Sequence, residues 1–402
     1  MPDVIYLDNN ATTAVAPEVR DAMMPYLSDQ YGNPSSMHTF GGRLKQAVDQ
    51  AREQVADLLG CHPTEVIFTS CGTESDNTAV KSALECYPER RHVITSRVEH
   101  PAVRNLCQVL ARGDGGRPAY RVTEVPVNAD GEFELPAFGD ALDDETAVVS
   151  IMWANNETGV LFPVEAIGGL CRDRGIVFHT DAVQAVGKIP MRLADLPIDM
   201  LSLSGHKLHA PKGIAALYVR RGTRFSPLLV GGHQEHNRRG GTEPVPQIVA
   251  LGKAAELAKA NLQKENAEVR ALRDRLESGL LARAPGARLN GRRDLRLPNT
   301  SNLSFEYVEG EAILLMLDQH GICASSGSAC TTGSLEPSHV LRAMGVPFTA
   351  AHGSIRFSLS VYNTEAEIDT VLEVLPPIIR RLREISPFGH DDNAVAAASP
   401  KP

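Results

Sequence analysis

Aromatic residues are scarce in this 402-residue chain, 5% of the total with a single Trp, and no apolar run approaches the roughly 18 residues of a membrane span. Met1–Asp8 has neither a basic flank nor a signal-length apolar stretch. A cytoplasmic protein with no membrane partner is expected. Basic blocks are missing too: Lys and Arg total 40 against 49 Asp and Glu, a net charge of −9. Nucleic acid is not an expected partner. The seven cysteines (Cys61, Cys71, Cys86, Cys107, Cys171, Cys323 and Cys330) are odd in number and include no Cys-x-x-Cys pair. That argues against a disulfide framework and a structural zinc site, so no metal is expected.

What is present is a chain with 43% hydrophobic and 22% charged residues, long enough for more than one lobe. Short β-branched runs begin at Val66, Val93, Val122, Val148, Ile176, Met200 and Ala216 and alternate with helical patterns. This spacing predicts an α/β fold with a mainly parallel seven-stranded sheet, covered on both faces and binding its ligand beyond the carboxyl ends of the strands. A long helical pattern from Pro246 to Ala284 would connect the lobes. Strand-like 301–305, apolar 312–317, strand-like 354–359 and helical 365–383 then predict a smaller α+β domain. The expected boundaries are 16–260 for the large domain, with 1–15 and 261–385 for the small one. Residues 386–402, rich in Ala, Ser, Pro and Asp, read as a loose tail.

Three strand ends carry chemistry. Thr69-Ser70-Cys71-Gly72-Thr73-Glu74-Ser75 turns from a strand into a helix whose free N–H groups suit a phosphate, though the same segment, with Glu74 in the first helical turn, reads equally as an ordinary capping box. His179-Thr180-Asp181 puts a carboxylate at the edge of a buried strand, either as a helix cap or as the partner of a cation. Ser204-Gly205-His206-Lys207 places a lysine at a third strand end, where desolvation would lower its pKa, although most lysines are solvated surface groups. Phosphate cup, acid and amine together are the parts that pyridoxal phosphate requires.

Six blocks resemble the motifs of the class V, fold-type I cysteine desulfurases. They are Asp8-Asn9-Asn10-Ala11-Thr12-Thr13, Gly32-Asn33-Pro34-Ser35-Ser36, Glu99-His100-Pro101, Asn155-Asn156-Glu157-Thr158-Gly159, Ser204-Gly205-His206-Lys207 and Ser325-Ser326-Gly327-Ser328-Ala329-Cys330. The resemblance spans about Tyr6 to Ile385. Trp153-Ala154-Asn155-Asn156, the run His206–Lys212 and Ala350-Ala351-His352-Gly353 favour the nitrogen-fixation type, NifS, over the housekeeping type.

The resemblance implies a fold-type I large domain and pyridoxal 5′-phosphate joined to Lys207, which then moves protons. It implies Asp181 on the pyridine nitrogen, Gln184 on the phenolate oxygen and His100 stacked on the ring. Gly72, Thr73, Ser204 and His206 would hold the phosphate with Thr242 of the partner subunit in a homodimer. Asn155 and Arg356 would grip the carboxylate of L-cysteine. Cys330, in a run of small residues with nothing large to bury, would accept the sulfur as a persulfide for an iron–sulfur scaffold protein, while Cys323 would be structural. Val361 and His236 stand where relatives commonly carry Arg; the second lies near the loop expected to cross between subunits. Two other readings are a class V aminotransferase or selenocysteine lyase on the same cofactor, and a non-enzymatic sulfur or metal carrier.

Overall fold

The structure, a computed structural model, describes residues 4–113, 119–326 and 337–386. Cys330 and the tail from 387 onward lie outside the described residues. After the short β1 (Ile5–Tyr6) come β2 (Val66–Thr69), β3 (His92–Ser96), β4 (Arg121–Val125), β5 (Thr146–Ser150), β6 (Val177–Asp181), β7 (Met200–Ser204) and β8 (Ala215–Val219). These seven form one sheet in the order β2-β8-β7-β6-β5-β3-β4. Parallel pairing holds from β4 through β7, and β8 alone is reversed, antiparallel to both β7 and β2.

The sheet is the expected one, because apolar strands buried on both faces are stable only between covering layers. In β2, β3, β5, β6, β7 and β8 every residue is buried. β5 stops at Ser150, although the apolar run continues through Ile151 and Met152. With β8 reversed, the carboxyl ends of β2, β3, β5, β6 and β7 share one edge, where β3 lies between β5 and β4 and the strand order reverses.

The helical pattern after Pro244 is one continuous rod. Helix Val245–Lys264 passes through a π turn, Glu265–Val269, into helix Arg270–Arg283. Beyond it β9 (Ala287–Leu289), β10 (Thr300–Phe305), β11 (Ile322–Cys323) and β12 (Ser354–Ser358) follow, with β10 antiparallel to both β9 and β12. β1 pairs in parallel with β11, so the amino-terminal strand joins this second set. Leu7, Leu276, Leu303, Phe305, Ile313, Phe357 and Leu375 form one apolar cluster there. Helix Glu365–Ile385 covers it, opened by a Thr364/Glu367 capping box. Among the described residues no helix is long and apolar enough to cross a membrane.

Candidate active site

Lys207 ends a single 3₁₀ turn, Gly205–Lys207, that begins where β7 stops. The turn is fixed by Gly205 N donating to Ile214 O and Thr13 N donating to His206 O. The lysine Nζ donates to the carbonyls of Asn10 (2.5 Å) and Ala11 (2.6 Å). Its own carbonyl accepts from Nζ of a second buried lysine, Lys188, at 3.5 Å. Burial, then the charges of Arg356 and Lys188, push Lys207 down to about 7 against the opposing pull of Asp8 and Asp181. The amine is therefore available as a nucleophile and base near neutral pH.

Asp181 stands at the carboxyl end of β6 and accepts from Val183 N at 2.9 Å. Burial raises its pKa, while His100, that backbone bond and Lys207 act to lower it. Asp181 in turn acts on two further buried carboxylates. Glu99 accepts from Ser96 Oγ (2.5 Å) and Met152 N (3.0 Å), and burial pushes it up to about 8. Asp76 is held well above the carboxylate range by burial and by the charge of Asp181, and lies 3.6 Å from His179. Burial drives His179 down to about 3, so its ring is neutral and bridges Ser150 Oγ and Ser202 Oγ at 2.9 Å each. Burial raises all three carboxylates, and Asp181 is the one of them that the His100 ring and the Lys207 amine pull back down.

His100 caps helix Pro101–Arg112, its Nδ1 accepting from Ala102 N at 3.2 Å. Burial, with Lys207 adding to it, lowers its pKa against the pull of Asp181. Gln184 donates to Asn10 O at 3.0 Å, and its buried Oε1 has no partner among the described residues.

The β2 turn leads into helix Gly72–Cys86 as expected, with Cys71 as its N-cap. Glu74 accepts from Ser70 N and its own N–H bonds Cys71 Sγ, yet Thr73 at the helix start is exposed. Gly72 faces the end of β7: a Cβ there would sit 3.1 Å from Val183 and 3.6 Å from Ser204. His206 bonds Thr12 Oγ1 at 3.2 Å and is pushed to about 4, first by burial and then by Lys207, Lys212 and His100. Thr242 is exposed in a loop three residues beyond Arg239, which pairs with Glu74.

Arg356 projects from the middle of β12, donating to Asn156 O (2.9 Å) and Asp8 Oδ1 (2.8 Å). Its buried Nε has no partner among the described residues. Asn155 is committed to its own loop: Oδ1 accepts from Glu157 N and Thr158 N, and Nδ2 donates to Val98 O. Gly159 makes that loop possible, with φ of +78° and its Cα face against Thr300. Two described residues flank the sequence that contains Cys330. Ser325 bridges Arg356 in β12, and Ser338 Oγ donates to Glu157.

These residues fit pyridoxal 5′-phosphate. A buried carboxylate opposed by His100 and Lys207, a buried unsatisfied amide oxygen, an amine near neutrality and a helix start at a closely faced glycine are the features its pyridine, phenolate, aldehyde and phosphate ask for. The Aminotransferase class-V family matches residues 5–371. A cysteine desulfurase of Trichormus azollae is 61% identical over 389 residues, covering 97% of this chain and 96% of that protein. The cysteine desulfurase NifS of Azotobacter vinelandii is 58% identical over 385 residues, covering 96% and 94%. A solved NifS-like protein superimposes with a TM-score of 0.87 at 38% identity, covering 94% of this chain and all of that one. The chain belongs to the cysteine desulfurases of aminotransferase class V.

Membership makes it a fold-type I enzyme that depends on pyridoxal 5′-phosphate. Reasoning from sequence missed Asp8, Asn10, Asp76, Glu99 and Lys188 as site residues. Asp8 and Asn10 lie in a quoted block and Glu99 beside His100; Lys188 shows only as a polar residue between Val186-Gly187 and Ile189, and Asp76 is one polar residue in the run Thr73–Thr78.

Proposed function

We propose that this enzyme takes sulfur from L-cysteine, releases L-alanine and carries the sulfur as a persulfide on Cys330 to an iron–sulfur scaffold protein serving nitrogenase assembly. The Cys330 thiolate attacks the substrate sulfur, the Cβ–S bond breaks, and the carbon receives a proton, so that L-cysteine and enzyme thiol become L-alanine and enzyme persulfide. Bound pyridoxal 5′-phosphate supplies the electron sink for this exchange. The single observation that carries the reading is the environment of Lys207, an amine pushed to about 7 beside buried Asp181 and Arg356.

Each residue then has a task. Lys207 Nζ takes the proton from the substrate Cα and returns it. Asp181 would keep a proton on the pyridine nitrogen, and His100, its pKa lowered by burial, would face the ring and pass protons. Gly72, Thr73, Ser204 and His206 would hold the phosphate, and Gln184 would address the phenolate oxygen. Arg356 holds the substrate carboxylate in a fork it shares with Asp8, assisted by Asn155.

A homodimer completed by Thr242 of the partner subunit is supported by apolar exposure. Leu27 is 53%, Tyr31 76% and Met37 104% exposed close to one another in sequence, and Val230 86% exposed near Thr242. A cytoplasmic location follows from the reducing conditions that free thiol chemistry needs. The purified enzyme given L-cysteine and a thiol reductant should release alanine and sulfide in equal amounts. Formation of a 2-oxo acid instead would replace this reading with an aminotransferase.

A further inference from the structure

Residues 231–242 form an exposed loop that is nevertheless held in a disfavoured shape. Glu235, His236 and Asn237 have φ of 47°, 55° and 66°, three consecutive left-handed residues without a glycine among them. Such backbone persists only where surrounding contacts impose it. Here they do: Glu235 is buried and takes both Arg52 Nη1 (2.7 Å) and Nη2 (2.8 Å) on its two oxygens, and also accepts from Phe68 N at 2.9 Å. Arg52 further donates to Val66 O at 2.8 Å and lies over the Phe68 ring. The turn is thus bolted to β2, the strand that leads into Gly72. The loop's base is closed by Gly240 N donating to Leu229 O at 2.8 Å, where a Cβ on Gly240 would strike Gly231. Arg239 ties the far side to Glu74 at 3.0 Å. Past these fixings Gly241 and Thr242 stand exposed.

We propose that Arg52 and Glu235 are positioning residues that aim Thr242 at the phosphate of the partner subunit, so that the cofactor affinity of one site is set by a buried ion pair in the other chain. This rests on the reading above in which Thr242 crosses between subunits. Apart from Glu235 and Gly240 this braced loop faces outward, and its anchorage on β2 links the cup of one site to the loop that completes the other.

Mixed dimers of differently tagged chains test it, with pyridoxal 5′-phosphate as probe and borohydride reduction counting only cofactor fixed to Lys207. The Glu235→Gln homodimer should bind the cofactor about tenfold or more weakly, the scale of losing a charged hydrogen bond. Pairing a Glu235→Gln chain with a Lys207→Ala chain leaves one countable site, completed by an intact loop, and its affinity should return to the wild-type value. Placing both changes on one chain against a wild-type partner should leave the countable site weak. The opposite pattern, in which affinity follows the chain that holds Lys207, overturns the proposal, as does an unaltered homodimer. Thr242→Ala run through the same pairings separates the two claims: if Thr242 acts across subunits and Glu235 does not, this inference alone fails, and if neither crosses, the dimer reading fails. Should Glu235→Gln not fold, Arg52→Lys, which keeps the charge and loses the paired fork, is expected to show the same pattern with a smaller loss.

Discussion

Lys207 Nζ lies 2.5 Å from the carbonyl oxygen of Asn10, so the amine carried by the large sheet finds its nearest acceptor in the amino-terminal segment. The same carbonyl accepts from Gln184 at 3.0 Å, and Asn10 Nδ2 donates to Thr300 of β10 at 2.8 Å. Asn10 therefore joins Lys207, Gln184 and the second sheet in one set of bonds.

The acidity of that lysine is the first point to measure. In cofactor-free protein, reaction of Lys207 with a small aldehyde should rise with pH around a midpoint near 7. Arg356→Met removes the cation that ranks next to burial and should move the midpoint upward. Because the folded value lies below the 10.5 of an unfolded lysine, the unfolded chain binds the extra proton between about 7 and 10.5. This group's contribution to stability therefore increases with pH across that window. A midpoint near that of a solvated lysine would remove the basis for its role.

Asp181→Asn keeps the shape and removes the charge. Cofactor affinity should fall, with activity lower by about 100-fold or more, the scale of losing a group that stabilises developing charge. Asp181 also opposes the depression of His100, so in the cofactor-free variant the His100 ring should titrate at lower pH, visible by NMR. Unchanged occupancy together with an unmoved His100 titration would take Asp181 out of the site.

Two glycines separate fold from site. A Cβ at Gly168 would lie 2.2 Å from Pro197 O, far from the cofactor residues, so Gly168→Ala should cost about 1–3 kcal/mol of stability and leave cofactor affinity alone. Gly72→Ala meets Val183 at a less severe 3.1 Å, on the wall of the proposed phosphate cup. Its loss should fall on cofactor affinity rather than on melting temperature. Thermal denaturation and equilibrium dialysis on the two variants give the comparison.

The main sheet was readable because its strands are short apolar runs between breakers, a pattern set locally. Ile151 and Met152 extended one run too far: Ile151 N still donates to His179 O of β6, but Met152 N turns to the Glu99 carboxylate instead. The π turn at Glu265–Val269 was not readable. One extra residue per turn barely disturbs apolar spacing, and Glu265 is buried opposite Lys188, a pairing that exists only after folding. Lys207, Asp181 and His100 stood out because strand ends and motif blocks mark them. Glu99 and Asp76 did not, because the protonation of a buried carboxylate depends on which distant charges the fold brings near it.

The central claim is that sulfur leaves L-cysteine for Cys330. Removing that thiol deletes the nucleophile and none of the groups placed at the cofactor, and free thiols cannot match the effective molarity of a placed one, roughly 10⁵ M or more. Sulfur-labelled L-cysteine should be given to wild-type enzyme and to Cys330→Ala, both loaded with pyridoxal 5′-phosphate, and the protein-bound label and free alanine counted. The expected result is persulfide label on the wild type alone, with the variant retaining cofactor and releasing no appreciable alanine. Equal label on both proteins would contradict the assignment and direct attention to Cys323, the half-buried thiol on β11.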